Sequence, residues 1–229
     1  MSDVTLETPE EQPIKLVENQ LPDDNTVGDK VVGESPLHHA DLDSIAQKGP
    51  QEGGVYFREQ KLMGMLTLRC VPSAAQQKTI KSLLGVALPM EPLTSVTKGE
   101  GEEAISVRWI SPDEWLIIVA GDKAFELESR FHEKLKGHFS IVNVSGGSTI
   151  FEVSGDHVVD MLKKSTAVDF HISEFPVGKV VSTVFAKSGA VICRIGEKHF
   201  ELVVRRSFAD YLWLWIQDAS REYGLAVKA

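Results

Sequence analysis

Residues 198–224 predict a β-strand that leads directly into a long helix, and this pair of elements constrains the rest of the chain most strongly. Apolar and polar side chains alternate along residues 199–204, which is the period-two pattern of a sheet with one buried face. Ser207 can accept a hydrogen bond from a free amide of the first helical turn, and Gly224 can end the helix after about Tyr223 in a left-handed conformation. The chain therefore contains at least one unit of mixed α and β structure.

The predicted helix is apolar on more than one side. One stripe follows the i, i+3, i+4 rule and consists of Phe208, Tyr211, Leu212, Trp215, Ile216, Ala219 and Tyr223. At about 100° per residue, Trp213 and Leu214 fall outside this stripe, on its flanks. Either a large core surrounds the helix or a second protein covers the flank. We predict the second arrangement, because exposed apolar patches usually mark partner contacts.

The predicted subunit interface comprises Trp213 and Leu214 together with the preceding basic pair, Arg205 and Arg206. Two other interpretations of the arginine pair stay open at this point. The pair could hold an anion, or it could be an ordinary solvated face.

The remaining patterns predict an α+β fold with a mainly antiparallel sheet and helices on its faces. The order β-α-β-β-α-β followed by β-α-β-β-β-α indicates two halves of ferredoxin-like, split βαβ type, about residues 55–146 and 147–229. A hairpin is expected across Gly146-Gly147, and a loop over residues 40–54. Strands are also expected over residues 63–71, 105–110, 115–119, 180–186 and 190–195, and a type I turn at residues 111–114 makes the second and third of these a hairpin. Helices are expected over 73–84, 122–137 and 156–164, and Ser73 can cap the first of them while Gly85 ends it.

The first 34 residues differ in composition from the rest of the chain. Acidic side chains far outnumber the basic ones, which are Lys15 and Lys30, and Pro9, Pro13 and Pro22 interrupt the segment. Such a composition buries too little apolar surface to offset the entropy of ordering, so we predict a flexible acidic tail. The alternative is a segment that folds against a basic partner.

Charge and composition exclude several classes of function. The formal net charge of −9 disfavours binding to nucleic acid and to anionic membrane surfaces. No run of residues approaches the ~18 apolar residues of a membrane span, and no secretory signal is visible. Cys70 and Cys193 lie far apart and lack a CxxC or His-rich partner, so in a reducing compartment two buried thiols are expected.

No motif predicts chemistry within this chain. The sequence lacks HExxH, paired cysteines at zinc spacing, GxGxxG, a Walker pattern and GxSxG. Gly146-Gly147 lies between two predicted strands, whereas a phosphate cradle opens a helix. His38-His39 are neighbours on a predicted loop, and a metal role for them is the less favoured interpretation. We therefore predict no catalytic, cofactor-binding or metal-binding residue here.

Seven segments together resemble the gamma subunit family of heterotetrameric sarcosine oxidase. They are, in chain order, Ser35-Pro-Leu, Ser111-Pro-Asp-Glu-Trp-Leu, Asn143-Val-Ser-Gly-Gly-Ser-Thr, Ser154-Gly, Ala167-Val-Asp-Phe-His, Phe175-Pro-Val-Gly and Phe200-Glu-Leu-Val-Val-Arg-Arg-Ser-Phe-Ala-Asp-Tyr-Leu-Trp-Leu-Trp. The resemblance implies a structural member of a bacterial cytoplasmic complex with alpha, beta and delta subunits. That complex oxidatively demethylates sarcosine to glycine and passes the one-carbon unit to tetrahydrofolate. FAD, FMN, NAD and zinc are implied on the other subunits, with no cofactor in this chain.

The family is also similar to the aminomethyltransferase, or folate-binding, T-protein fold, which leaves two alternatives. One is a stand-alone folate-binding or aminomethyl-transfer protein of the same fold. The other is a subunit of a different multisubunit amine or dimethylglycine dehydrogenase. Asn143 stands where related chains often have Asp, and Lys164-Ser165-Thr166 stands where family members often have Gly-Cys. Both departures argue against a catalytic or folate role.

Overall fold

The computed structural model describes residues 33–228. The predicted acidic tail over residues 1–34 lies almost entirely outside the described residues. Within them, the helices are α1 (Leu42–Lys48), α2 (Ala74–Leu84), α3 (Ala124–Lys134), α4 (Val158–Ser165) and α5 (Ala209–Ala219). The strands are β1 (Val55–Gln60), β2 (Gly64–Arg69), β3 (Ser95–Lys98), β4 (Ile105–Ser111), β5 (Glu114–Val119), β6 (Ser140–Asn143), β7 (Ser148–Ser154), β8 (Val180–Phe185), β9 (Ser188–Gly196), β10 (His199–Arg205) and β11 (Leu225–Val227).

The strands form two sheets. Sheet A has the order β11-β1-β7-β10-β9-β8, and sheet B has the order β3-β4-β5-β2-β6. Neighbouring strands run antiparallel, except that β1 and β11 pair in parallel. The predicted α+β class with mainly antiparallel pairing is confirmed.

Each sheet buries one face under helices and the other face against the second sheet. The layer between the sheets contains Met65, Leu116 and Ile118 from sheet B and Ile150 and Val203 from sheet A. The outer face of sheet B packs under α2 and α3, and the outer face of sheet A packs under α1, α4 and α5. Because both faces of each sheet are covered, some strands carry apolar side chains on both of their faces.

The hairpin expected across Gly146-Gly147 is wrong. Strand β6 pairs with β2 in sheet B, whereas β7 pairs with β1 and β10 in sheet A. A 3₁₀ turn, Ser145–Gly147, carries the chain from one sheet to the other. It is held to β2 because Val144 N donates to Met65 O at 2.8 Å and Met65 N donates to the Ser145 hydroxyl at 2.9 Å.

Strand β1 lies in the sheet formed by the strands after residue 147, although it precedes all of sheet B in the chain. The expected halves at 55–146 and 147–229 therefore separate β1 from its sheet. The expected loop over residues 40–54 is also wrong in part, because it contains α1. Asp41 caps that helix by accepting from Ser44 N at 3.3 Å.

The last helix differs from the prediction at both ends. A 3₁₀ turn, Arg206–Phe208, precedes α5, and the Ser207 side chain does not cap it. The helix ends at Ala219 rather than near Tyr223. Gly224 does adopt a left-handed conformation with φ of 77°, but there it redirects the chain into β11. Hydrogen bonds from Gly54 N to Tyr223 O and from Val55 N to Gly224 O join this segment to β1.

Two local predictions from the sequence are confirmed. Ser73 and Gln76 form a reciprocal capping box at the start of α2, and Gly85 ends that helix with φ of 72°. Strands β4 and β5 form the hairpin expected around residues 111–114.

Candidate functional site

Trp213 lies in the core of this chain, which corrects its predicted place on an exposed flank. Its side chain is 4% exposed, and its ring centroid lies 4.6 Å from that of Phe57 on β1. Phe208, which helical periodicity predicts to be part of the buried stripe, is 42% exposed. The buried face of α5 is thus rotated towards β1, because sheet A extends beneath that side of the helix.

The outer face of α5 carries four large apolar or aromatic residues. Leu214 is 56% exposed, as predicted, and Phe208, in the 3₁₀ turn that precedes the helix, is 42% exposed and lies about 120° around the helix axis from Leu214. Tyr211 and Trp215 are half-buried between them, and Trp215 Nε1 donates to Ser165 Oγ at 3.0 Å. We call Phe208, Tyr211, Leu214 and Trp215 the outer face of α5. Leu214 has the exposed carboxylates of Asp210 and Asp218 one turn to either side, so this side of the helix mixes apolar and charged residues, as protein interfaces commonly do.

Polar groups border this outer face at its N-terminal end. Arg205 and Arg206 are exposed, as expected, and Arg206 Nη2 donates to the Glu34 carbonyl at 3.2 Å. His39 Nε2 lies 2.8 Å from Asp210 Oδ1. An apolar centre with a charged, solvated rim is the usual anatomy of a protein interface.

The His38-His39 pair does not form a metal centre in the structure. His39 faces Asp210, whereas His38 lies 3.6 Å from Glu34, so the two imidazoles engage different carboxylates. In the described part of the chain, no three His, Cys, Asp or Glu side chains converge in a way that could hold a metal ion.

A cleft of about 710 Å³, which no sequence motif predicts, lies where the layer between the sheets becomes polar. Its wall combines residues of β1, β3, β4, β5, β9 and β10 with the segment before β8. The charged residues in the wall are Arg58, Glu59, Lys61, Arg108, Arg194 and Glu201, and the apolar ones include Met63, Ile118, Val177 and Ile195.

A network of charged and amide side chains crosses the cleft from sheet B to sheet A. Arg108 on β4 forms an ion pair with Glu201 on β10. Gln60 Nε2 donates to Glu201 Oε1 at 2.8 Å and to Glu152 Oε2 at 2.9 Å. Arg58 Nε donates to the same Glu152 oxygen at 3.0 Å. The network therefore links the two sheets at the polar end of their shared layer.

Glu152 is the most strongly perturbed acid of this network. Burial by itself would raise its pKa, but hydrogen bonds from His199, Gln60 and Arg58 outweigh burial and hold the pKa at about 2. His199 Nε2 lies 2.6 Å from Glu152 Oε1. Glu152 is therefore ionised at neutral pH, and its negative charge balances the positive charge of Arg58.

Arg194 forms a second buried cationic part of the wall. It is 3% exposed, and its guanidinium donates to the carbonyls of Phe170 at 3.1 Å and Phe175 at 2.7 Å. It also lies 4.8 Å above the Phe200 ring. Burial lowers the pKa of Arg194.

The residues of the cleft were missed because their pattern has two structural explanations. Arg108, Glu152 and Glu201 alternate with apolar residues along their strands, a pattern that fits a strand with one solvent-facing side equally well. In the structure that side faces the other sheet. Alternation alone does not separate the two cases, since only the packing of sheet on sheet distinguishes them.

Both cysteines are free and buried, as predicted. Burial raises the pKa of the Cys70 thiol, and the nearby Asp113 carboxylate adds to the effect. Among residues 33–228, no helix combines the length and the apolar character that a membrane crossing requires.

The two facing sheets with outer helices define the class of fold. The crystal structure of glycine cleavage system aminomethyltransferase T from Bartonella henselae matches with a TM-score of 0.65. The match covers 86% of this chain and 59% of that chain at 13% identity, which shows a similarity of fold. The protein is thus an α+β chain of the aminomethyltransferase fold.

The particular family follows from closer matches. The model of the sarcosine oxidase, gamma subunit family matches residues 71–222, so the chain belongs to that family. The sarcosine oxidase subunit gamma of Corynebacterium sp. (strain U-96) is 25% identical over 91% of this chain and all of that protein. The subunit gamma of Arthrobacter sp. is 27% identical over 82% of this chain and 90% of its own length.

A solved complex contains a chain of the same fold. It is the heterotetrameric sarcosine oxidase from Corynebacterium sp. U-96 in complex with pyrrole 2-carboxylate, with a TM-score of 0.73 at 25% identity. The match covers 86% of this chain and 99% of that chain.

Proposed function

We propose that this chain is the structural gamma subunit of a heterotetrameric sarcosine oxidase and carries no catalytic residue itself. The complex oxidatively demethylates sarcosine to glycine, with transfer of the one-carbon unit to tetrahydrofolate. The alpha, beta and delta subunits supply the sites for FAD, FMN, NAD, zinc and tetrahydrofolate, and the assembly works in the cytoplasm. Family membership and the solved heterotetramer that contains a similar chain support this proposal.

The observation that carries the structural role is the outer face of α5. Leu214 on α5 and Phe208 in the turn before it expose large apolar side chains, and the other face of α5 already fills the core of sheet A. Arg205 and Arg206 lie at its rim. Burial of such a face against another subunit would stabilise the assembly by removing apolar surface from water.

Coexpression of all four subunits, with and without this chain, tests the structural role. We expect that omission of the chain prevents isolation of a stable complex with full sarcosine-oxidising activity. A stable and fully active complex of the other three subunits would contradict the proposal.

Substitution within the outer face tests the proposed contact directly. Leu214→Asp places a charge at the centre of the face, and we expect subunit affinity to fall roughly 30-fold or more, the effect of losing about 2 kcal/mol at an interface hot spot. Phe125→Asp is the matched control, because Phe125 is a 75% exposed apolar residue on a different helix, α3. Sedimentation or calorimetry of assembly measures both variants. Wild-type affinity of the Leu214 variant would show that α5 does not form the contact.

The alternative function, a stand-alone folate-binding or aminomethyl-transfer protein, predicts that the isolated chain binds tetrahydrofolate, whereas a structural subunit does not. We expect titration with tetrahydrofolate to leave the tryptophan fluorescence of the isolated chain unchanged. Tight, saturable binding of tetrahydrofolate would favour that alternative over a purely structural subunit.

A further inference from the structure

The outer edge of strand β8 is closed at its two ends by other parts of the chain. Val180 N donates to Leu93 O at 2.9 Å at the start of the strand, and Ala186 N donates to Ser165 O at 2.7 Å just past its end. Strand β9 pairs with β8 on the opposite side, in an unshifted register from Val180 to Phe185. The amides of residues 180 and 186 therefore point away from β9.

Between these two closed ends, the edge of β8 is open. Backbone groups of a strand point alternately to its two sides, so Ser182 and Val184 face outwards together with residues 180 and 186. Both side chains are exposed, and that of Val184 is 59% exposed. In the described part of the chain, β8 is the last strand of sheet A, with β9 as its one strand neighbour. The backbone groups of Ser182 and Val184 can therefore pair with a further strand.

The three other edge strands of the two described sheets have the protection that is usual for strand edges. Strand β11 has three residues, and β3 and β6 have four each. Ser95 N of β3 donates to Gly178 O at 2.8 Å, and Asn143 N of β6 donates to the Glu128 carboxylate at 3.2 Å. Short strands and covered amides prevent association of one sheet edge with another.

The open part of β8 lacks these protective features. The strand has six residues, Val180–Phe185, with no charged residue, proline or glycine among them, and its pairing with β9 contains no bulge. Most of its side chains are β-branched, as is typical of strands in the interior of a sheet. A regular, uncharged edge of this length would promote aggregation if it stayed exposed, so we expect the functional assembly to cover it.

The end of α4 connects this edge to the outer face of α5. The Ser165 carbonyl accepts from Ala186 N beyond β8, and the Ser165 hydroxyl accepts from Trp215 Nε1 on α5 at 3.0 Å. Thr166 Oγ1, the next residue, lies 3.3 Å from Thr183 Oγ1 on β8. A subunit that covers the outer face of α5 is therefore placed to reach the edge of β8.

We propose that an extended segment of the subunit on the outer face of α5 pairs with β8 and adds a seventh strand to sheet A. Its backbone exchanges hydrogen bonds with Ser182 and Val184, and an apolar side chain of the segment lies against Val184. This inference rests on the proposed function, because it requires the chain to be a subunit of an assembly. It adds a contact between backbones to the contact between side chains at α5.

Amide hydrogen exchange resolved to single residues tests the added strand without any substitution. Mass spectrometry with electron-transfer fragmentation compares the isolated full-length chain with the assembled complex. We expect the Ser182 and Val184 amides to exchange at least 10-fold more slowly in the complex, because exchange requires their new hydrogen bonds to open. Unchanged exchange at both residues would overturn the proposal. Protection that rises with the concentration of the isolated chain would assign the edge to a second copy, and would also overturn it.

A proline in the edge tests what one outward amide contributes to assembly. Val184→Pro removes an N–H that does not pair with β9, so the ladder between β8 and β9 stays intact. We expect affinity for the other subunits to fall roughly 10-fold or more, because an acceptor on the partner segment is left unpaired. Sedimentation of the assembly measures the loss, and circular dichroism checks that the variant folds.

Thr97→Pro is the matched control on β3, another edge strand. Ser95 N points away from β4, and Thr97, two residues further on, faces the same way. We expect Thr97→Pro to assemble with wild-type affinity. Wild-type affinity of Val184→Pro, or an equal loss in both variants, would contradict strand addition at β8.

Failure of this inference is distinguishable from failure of the proposed function. A complete and active complex that forms without this chain would refute the proposed function. A complex that requires this chain, but in which the Ser182 and Val184 amides gain no protection, would refute the added strand alone.

Discussion

At the scale of single residues, Trp213 and Leu214 are sequence neighbours with opposite environments. The first is 4% exposed against Phe57, and the second is 56% exposed. Helical periodicity could not separate them, because both lie on flanks of the stripe and the flank that is covered depends on where β1 runs. The sheet topology decides which flank is covered, because the strand that covers it, β1, is far from α5 in the sequence.

Trp213→Ala is expected to destabilise the isolated chain by about 3–5 kcal/mol, because truncation of a buried aromatic loses its burial and leaves a cavity. Urea denaturation followed by circular dichroism measures the change in the free energy of unfolding. Leu214→Ala serves as the control, with an expected change within about 0.5 kcal/mol because the side chain is largely exposed. Similar effects of the two substitutions would contradict the burial of Trp213.

Glu152 makes stability depend on pH in the acid range. Its pKa is lowered from 4.5 to about 2 in the folded chain, so its contribution is complete above pH 4.5 and is lost as the pH falls towards 2. The contribution is on the order of 3 kcal/mol, by the usual conversion of a pKa difference to free energy. We expect Glu152→Gln to reduce the loss of unfolding free energy between pH 5 and pH 2.

The control for this measurement is Glu133→Gln, which changes an exposed glutamate on α3. We expect the acid dependence of that variant to match the wild type. If Glu152→Gln and Glu133→Gln have the same pH profile, the network around Glu152 does not set the acid stability.

At the scale of elements, local signals predicted what local interactions determine. The capping box at Ser73 and the β4–β5 hairpin are encoded within a few residues, and both are present. The hairpin predicted at Gly146-Gly147 was wrong because two glycines between strands suit a hairpin turn within one sheet and a connection between two sheets equally well. Strand β6 pairs with β2, and strand β7 pairs with β1. In neither pair are the two strands consecutive in the sequence. The cleft was unpredictable for the same reason.

Strand β11 is a short element with a large expected effect. It adds the edge of sheet A beside β1, and Ala226 and Val227 are buried there. Removal of residues 225–229 is expected to cost at least about 2 kcal/mol, because burial of a valine alone contributes this much. Thermal unfolding of the truncated chain measures the effect, with removal of residue 229 alone as the control. An unchanged melting temperature after the longer truncation would show that β11 does not stabilise the sheet.

At the scale of the whole molecule, the described residues unite two sheets through one shared layer. The apolar part contains Ile118, Ile150 and Val203, and the polar part contains the Arg108–Glu201 pair. Because neither sheet buries its inner face without the other, we expect the two to unfold together.

Hydrogen exchange with mass spectrometry in increasing urea tests this cooperativity. Peptides from β5 in sheet B and β10 in sheet A are expected to lose protection at the same urea concentration. Two separate transitions would show that the shared layer does not couple the sheets.

The excursion of the chain between β1 and β7 has a consequence for the order of folding. Sheet B forms from the contiguous residues 64–143, whereas Val55 finds its partner Leu225 only near the carboxyl end. During synthesis, sheet B can therefore assemble early, whereas β1 gains its first neighbour only when β7 has emerged and its second only when β11, almost the last residues, leaves the ribosome. The nascent chain carries an open strand edge for most of its synthesis, and this interval is when it is most exposed to aggregation.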